Sequence, residues 1–153
     1  MYVLYSLLTA VGIVLLSPYF LIRGLIHGKY LDNIPERMGW KFPPELRAIE
    51  SSGAKKKSIW IHAVSVGEVL AVLPLARQLK HRYPQRPLVV STTTITGQQL
   101  AHERMGFADA VFYFPMDWKG PVRRALEESG AAIVIIVETE IWPTFLHQCR
   151  RAG

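Results

Sequence analysis

Residues 58–67 read SIWIHAVSVG. A short apolar run, Ser58–Ala63, breaks at Val64-Ser65-Val66-Gly67 and passes into a longer segment, Gly67–Tyr83, in which Val69, Val72, Leu73, Leu75, Ala76 and Leu79 are apolar. A short continuous apolar run bounded by turn residues has the signature of a buried strand, and the longer segment spaces its apolar residues as a helix does. The couplet recurs three times downstream. Pro87–Thr92 (PLVVST) is followed by a helix near Thr96–Met105, Ala110–Phe114 (AVFYF) by Asp117–Ser129, and Ala131–Val137 (AAIVIIV) by Trp142–Ala152. Strands that are apolar throughout and alternate with helices predict a parallel sheet covered on both faces. The expected fold is therefore α/β with a Rossmann-like sheet. The fourth strand is the most apolar and is expected to be the most buried. No Gly-x-Gly-x-x-Gly follows the first strand and no P-loop is present, which argues against dinucleotide and P-loop nucleotide binding.

Upstream, Met1–Ile22 carries no charge and Arg23 is the first ionised residue. As a helix this length just spans the ~30 Å hydrocarbon layer of a bilayer. A cleaved signal peptide is disfavoured, because no basic residue precedes the run and no Ala-x-Ala site follows it. Tyr2, Tyr5 and Tyr19 lie near its ends, where aromatic rings favour the interface. Ser17-Pro18 leaves both a spanning and a half-inserted anchor open, and a buried core helix is the bland alternative. Arg23, His27, Lys29, Arg37, Lys41 and Arg47 follow, and Lys55, Lys56 and Lys57 precede the first strand. That asymmetry predicts a cytoplasmic domain beside anionic lipid. Three segments result: an anchor helix at 1–22, a basic juxtamembrane linker at 23–57, and the α/β domain at 58–153.

The formal net charge of +6 comes without the interleaved aromatic and basic residues of an RNA-binding sheet, so no nucleic-acid partner is expected. Cys149 is the only cysteine, which rules out a disulfide within the chain and a zinc-type cysteine cluster. The sequence stops at Arg150-Arg151-Ala152-Gly153, where a helix would turn into a fifth strand, and a truncated chain with an uncovered sheet edge is expected.

Ligands of open α/β sheets bind outside the carboxyl ends of the strands. Beyond the fourth strand stand Glu138-Thr139-Glu140-Ile141-Trp142-Pro143. Two neighbouring carboxylates there either act as acid–base groups with a shifted pKa or cap the next helix and pair with a cation. Ser65-Val66-Gly67 either offers backbone N–H groups to an anion or hydroxyl-rich ligand, or is a helix cap with a close-packed glycine. Thr94, Thr96 and Gly97 carry the same two readings, and His62 more often packs than reacts. In the linker, Glu36 either presents a base at the membrane surface, pairs with Arg37 or is a solvated charge.

At these residues the chain resembles the 3-deoxy-D-manno-octulosonic acid (Kdo) transferases of lipopolysaccharide synthesis. Pro35-Glu36-Arg37-Met38-Gly39 is similar to the family's Gly-Glu-Arg-aromatic-Gly. His62-Ala63-Val64-Ser65-Val66-Gly67-Glu68, Thr92-Thr93-Thr94-Ile95-Thr96-Gly97 and Val137-Glu138-Thr139-Glu140-Ile141-Trp142-Pro143 match as well, in order and spacing. Pro35, Met38 and Thr144 depart from the family's usual Gly, aromatic and Asn. The resemblance implies a two-domain GT-B fold of which this chain is the N-terminal, acceptor-binding half. The C-terminal domain, absent here, would bind the donor CMP-Kdo, so the chain alone is expected to be inactive. It further implies that Glu36 is the general base, that Glu138 or Glu140 assists it or orients the acceptor, and that Ser65 and Gly67 line the acceptor cleft. A lipid A precursor (lipid IVA) would be the acceptor, no metal or other cofactor would take part, and the enzyme would work at the cytoplasmic face of the inner membrane. Two alternatives stay open: a membrane-anchored binding module without catalysis, and another GT-B enzyme acting on a lipid-linked sugar.

Overall fold

The computed structural model describes residues 11, 32–51, 58–138 and 140–153. The expected anchor, the linker before residue 32 and Thr139 lie outside the described residues. Among the described residues no helix is long and apolar enough to cross a membrane.

Two short helices, α1 (Ile34–Arg37) and α2 (Pro44–Ser51), precede four βα units: β1 (Ser58–His62), α3 (Val66–Arg82), β2 (Leu88–Thr92), α4 (Ile95–Arg104), β3 (Ala110–Tyr113), α5 (Lys119–Ser129), β4 (Ala131–Ile136) and α6 (Pro143–Ala152). Each element of the four βα units lies within two residues of the boundaries drawn from the apolar runs, whereas no boundary was drawn for α1 and α2, which fall in the expected linker. All strand pairings are parallel, in the order β3-β2-β1-β4. That order builds outward from β1 in both directions, as in the Rossmann fold, and makes the gap between β1 and β4 the place where the winding reverses.

Alternate side chains of each strand feed two separate cores. On one face Trp60, Val89, Phe112 and Phe114 pack with Phe42 and Leu46 of the α1–α2 segment, Val122 of α5 and Phe145 of α6. On the other, Ile59, Ile61, Val90 and Val111 meet Val69, Val72 and Ala76 of α3 and Ala101 of α4. Trp60 is the hub of the first core, with its ring centroid 5.1 Å from both Phe112 and Phe145. Its indole N–H donates to Ser91 Oγ at 2.8 Å, so the one polar atom of that ring is paired.

One expectation is corrected. β4 is the least buried of the strands, not the most: β1 and β2 are buried at every position, whereas Ile133 of β4 is 53% exposed. An apolar sequence reports what a strand can bury, but place in the sheet decides what it does bury. β4 is an edge strand with β1 as its single neighbour among the described residues.

The segment carrying Glu36 is docked on the domain instead of trailing from it. Pro35 stands in the first turn of α1, where a missing N–H costs nothing. Gly39 ends that turn at φ +67°, and a Cβ there would sit 3.2 Å from the Pro121 backbone, so only glycine lets the turn rest against α5. Arg124 donates to the Gly39 carbonyl at 3.3 Å and the Met116 N–H to the Arg37 carbonyl at 2.8 Å, tying α1 to the β3–α5 connection.

Candidate functional site

The carboxyl ends of the four strands form one rim, and α1 lays Glu36 on it at the β3 end. The Tyr113 backbone N–H donates to Glu36 Oε1 at 2.5 Å. Burial raises the Glu36 pKa above its ordinary 4.5, opposed by the Tyr113 hydrogen bond and by the positive charge of Arg37. Among the described residues no partner contacts Oε2. A half-buried carboxylate with one oxygen anchored, the other unpaired and a raised pKa is arranged to accept a proton.

Arg37 turns away from direct pairing with Glu36. Its Nη2 donates to the Thr93 carbonyl, at the end of β2, and its guanidinium lies over the Tyr113 ring, 4.8 Å from the centroid. Sequence reasoning offered Arg37 as a basic residue near lipid and as a partner for Glu36, not as a clamp on the sheet. Its clamp across β2 and β3 depends on contacts 56 residues away in the chain and has no local signal.

At the β1 end, Glu68 is the residue that the motif reading passed over. It is buried, its Oε2 accepts the Val64 N–H at 2.7 Å, and its Oε1 accepts the Ser65 hydroxyl at 3.0 Å. Ser65 is the N-cap of α3 but makes no capping bond with its side chain. The sequence signal was present as Ser65-x-x-Glu68, the spacing of a capping box. Gly67, exposed in the first turn of α3, has no close neighbour to exclude a side chain.

Thr94 and Gly97 make packing and capping contacts. Thr94 Oγ1 accepts the Gly97 N–H at 3.0 Å as the α4 cap and donates to the Val64 carbonyl at 3.2 Å. A Cβ on Gly97 would meet Thr94 Oγ1 at 2.7 Å and the Val64 and Ser65 backbone at 3.3 Å. This junction locks the loops after β1 and β2 together. Thr96 points outward and is exposed.

His62, at the end of β1, is fully buried. Its Nδ1 lies 3.0 Å from Ser91 Oγ and its ring stacks on Phe114 at 3.9 Å, with Trp142 6.4 Å away. Burial pulls its pKa down to about 4, so the imidazole is neutral near pH 7. Its Nε2 is buried without a partner, as are Thr93 Oγ1 and Trp142 Nε1.

Glu138 and Glu140 follow β4, at the opposite edge of the sheet from Glu36. The supporting strand ends are three steps of ~4.8 Å apart, but the segment after Glu140 folds back toward β3, where the Trp142 and Phe114 ring centroids are 5.2 Å apart. Glu138 is exposed and has φ +62°, the one positive φ outside glycine among the described residues. A non-glycine residue in that region is held by its surroundings at some cost and marks a segment worth attention. Neither glutamate caps α6. That task falls to Asp117, whose Oδ2 and Oδ1 accept the Thr144 and Phe145 N–H groups at 3.0 and 2.7 Å. Among the described residues no group of three or more His, Cys, Asp or Glu is placed to hold a metal ion.

Residues 32–153 match the family model described as 3-deoxy-D-manno-octulosonic-acid transferase (kdotransferase). The 3-deoxy-D-manno-octulosonic acid transferase of Haemophilus influenzae is 39% identical over 122 residues, covering 78% of this chain and 26% of the relative. The enzyme of the same name from Chlamydophila psittaci is 28% identical over 137 residues, covering 89% of this chain and 30% of the relative. A bifunctional glycosyltransferase/methyltransferase of Fusobacterium nucleatum is 28% identical over 134 residues, covering 85% of this chain and 20% of the relative. The chain thus spans less than a third of the length of each of these relatives.

Proposed function

The chain belongs to the 3-deoxy-D-manno-octulosonic acid transferase family, and from that premise we propose that it is the acceptor-binding part of an inverting glycosyltransferase. The reaction moves Kdo from CMP-Kdo to a sugar hydroxyl of a lipid A precursor at the cytoplasmic face of the inner membrane. Glu36 is the base. Its carboxylate takes the proton of the acceptor hydroxyl as that oxygen bonds to the anomeric carbon of Kdo and the bond to the CMP phosphate breaks, with CMP leaving on the opposite face. The proposed reaction uses this carboxylate and no metal.

The observation that carries the reading is the anchoring of Glu36 to the Tyr113 N–H, which holds a half-buried carboxylate with a raised pKa on the strand rim. A base needs a fixed position and a pKa shifted toward the working pH, and this contact together with burial supplies both. Glu138 and Glu140 have another part in it. One of the two, on the segment whose Trp142 packs on Phe114 beside Tyr113, is read as assisting Glu36 or orienting the acceptor. Ser65 and Gly67, at the β1–β4 reversal, are read as further contacts to the acceptor.

The test is Glu36→Gln in a full-length enzyme carrying this segment. Transfer falls by about a hundredfold or more while membrane attachment and acceptor binding persist. Wild-type rates in that variant would remove Glu36 from the mechanism.

A further inference from the structure

Three polar groups on the rim have hydrogen-bonding capacity that the fold leaves unused. The Arg37 guanidinium has five N–H donors, and the Thr93 carbonyl is the one acceptor it meets among the described residues. The Lys80–Asp109, Arg104–Glu103 and Arg123–Glu127 ion pairs do not include it. The Glu36 carboxylate beside it is directed to the Tyr113 N–H instead. Thr93 itself, whose carbonyl holds Arg37, has its Oγ1 buried and unpartnered, and so does His62 at Nε2, on the next strand end. Arg37 lies near enough to His62 for its charge to act on that imidazole.

A half-buried guanidinium with most of its fork unsatisfied is costly to desolvate and is stabilised when an acceptor arrives. The Tyr113 ring beneath it and the Thr93 carbonyl at one end fix its plane, so the remaining donors point in a set direction. A fixed planar fork matches the two coplanar oxygens of a carboxylate or phosphate.

We propose that Arg37 is the anion-binding subsite of this rim, and that it takes a carboxylate or phosphate oxygen of a substrate whose hydroxyl faces Glu36. The inference rests on the sugar-transfer reading for the identity of the substrate but not for the anion site itself. Two sources supply such an oxygen: the carboxylate of a sugar acid and a phosphate ester on the acceptor.

The first experiment follows the Arg37 Nε–H and Thr93 N–H NMR signals of the full chain in detergent micelles during titration with inorganic phosphate and, separately, with free 3-deoxy-D-manno-octulosonic acid. Saturable shifts of both signals are expected with at least one probe. Arg37→Gln weakens that binding by about tenfold to hundredfold, and Arg37→Lys, which keeps the charge but not the fork, recovers only part of it. Response to the sugar acid alone identifies a carboxylate subsite, and response to phosphate alone a phosphate subsite. No saturable shift with either probe, or equal binding by Arg37→Gln with its spectrum otherwise intact, overturns the proposal. In a full-length enzyme the same variant raises the KM of the anionic substrate more than it lowers kcat, and an unchanged KM overturns it too. Arg37-dependent anion binding in a full-length protein without transfer activity leaves the subsite standing and removes the transfer reading.

Discussion

Asp117 and Phe145 lie 28 residues apart, yet Asp117 Oδ1 accepts the Phe145 N–H at 2.7 Å, and Oδ2 of the same carboxylate accepts the Thr144 N–H. The loop after β3 thereby caps the helix after β4 across the whole width of the sheet. Asp117→Ala strips two buried donors of their acceptor. The domain is expected to lose about 1–3 kcal/mol in urea unfolding. Asp117→Asn retains one acceptor oxygen and is expected to lose less. Equal stability of Asp117→Ala and the parent would show that the cap contributes nothing.

On the proposed mechanism, Glu36 sets the pH dependence of the transfer reaction. The base works only when ionised, and burial holds its pKa above the ordinary 4.5, so kcat/KM rises with pH through a midpoint displaced upward from that value. Arg37 opposes the rise. Its replacement by Gln therefore moves the midpoint further up, readable as the titration of the Glu36 Cδ signal. A midpoint that stayed put or fell would contradict the electrostatic account of the pair.

His62 sets an acid limit on the fold. Its pKa is about 4 in the folded domain and near 6.5 when unfolded, so the unfolded chain takes up the proton first as pH falls. The stability tied to the neutral ring is complete above pH 6.5 and is lost progressively between 6.5 and about 4, to a total on the order of 3 kcal/mol. His62→Asn is expected to be less stable at pH 7 and to lack this slope, as urea unfolding at pH 7 and pH 5 would reveal.

Gly97→Ala drives a methyl group to 2.7 Å from the Thr94 hydroxyl and 3.3 Å from the Val64 carbonyl. Thr94 must give up its cap or the two loops must part, at a cost of about 1–3 kcal/mol. Thr94→Ala removes the cap without the clash and is expected to cost about 1 kcal/mol. The double variant Thr94→Ala/Gly97→Ala should then fall short of the sum, because the clash partner is gone.

Much of this architecture was legible in the chain. Four apolar runs located four strands, and the intervening apolar spacing located their helices, because a parallel strand buried on both faces must be apolar throughout. Strand order was not legible, since nothing in AAIVIIV tells whether its outer edge is covered, and β4 was misjudged for that reason. Within the site, the helix-capping alternative weighed for Thr94 and Gly97 describes their contacts, and Ser65-x-x-Glu68 was available as a local pattern. The Glu36–Tyr113 bond joins residues 77 positions apart. It exists only once α1 folds back over β3, which local spacing does not reveal.

That bond has a second effect, on self-association. The Phe114 N–H points inward to the Thr92 carbonyl of β2, so the Tyr113 N–H, one residue earlier, points outward from the last strand of the sheet. An outward N–H at a strand edge invites the backbone of another molecule, and a charged group set against it denies that approach. The side chain proposed to abstract a proton therefore occupies the edge N–H that a strand from another molecule would need. Its removal would leave the protein stickier as well as slower.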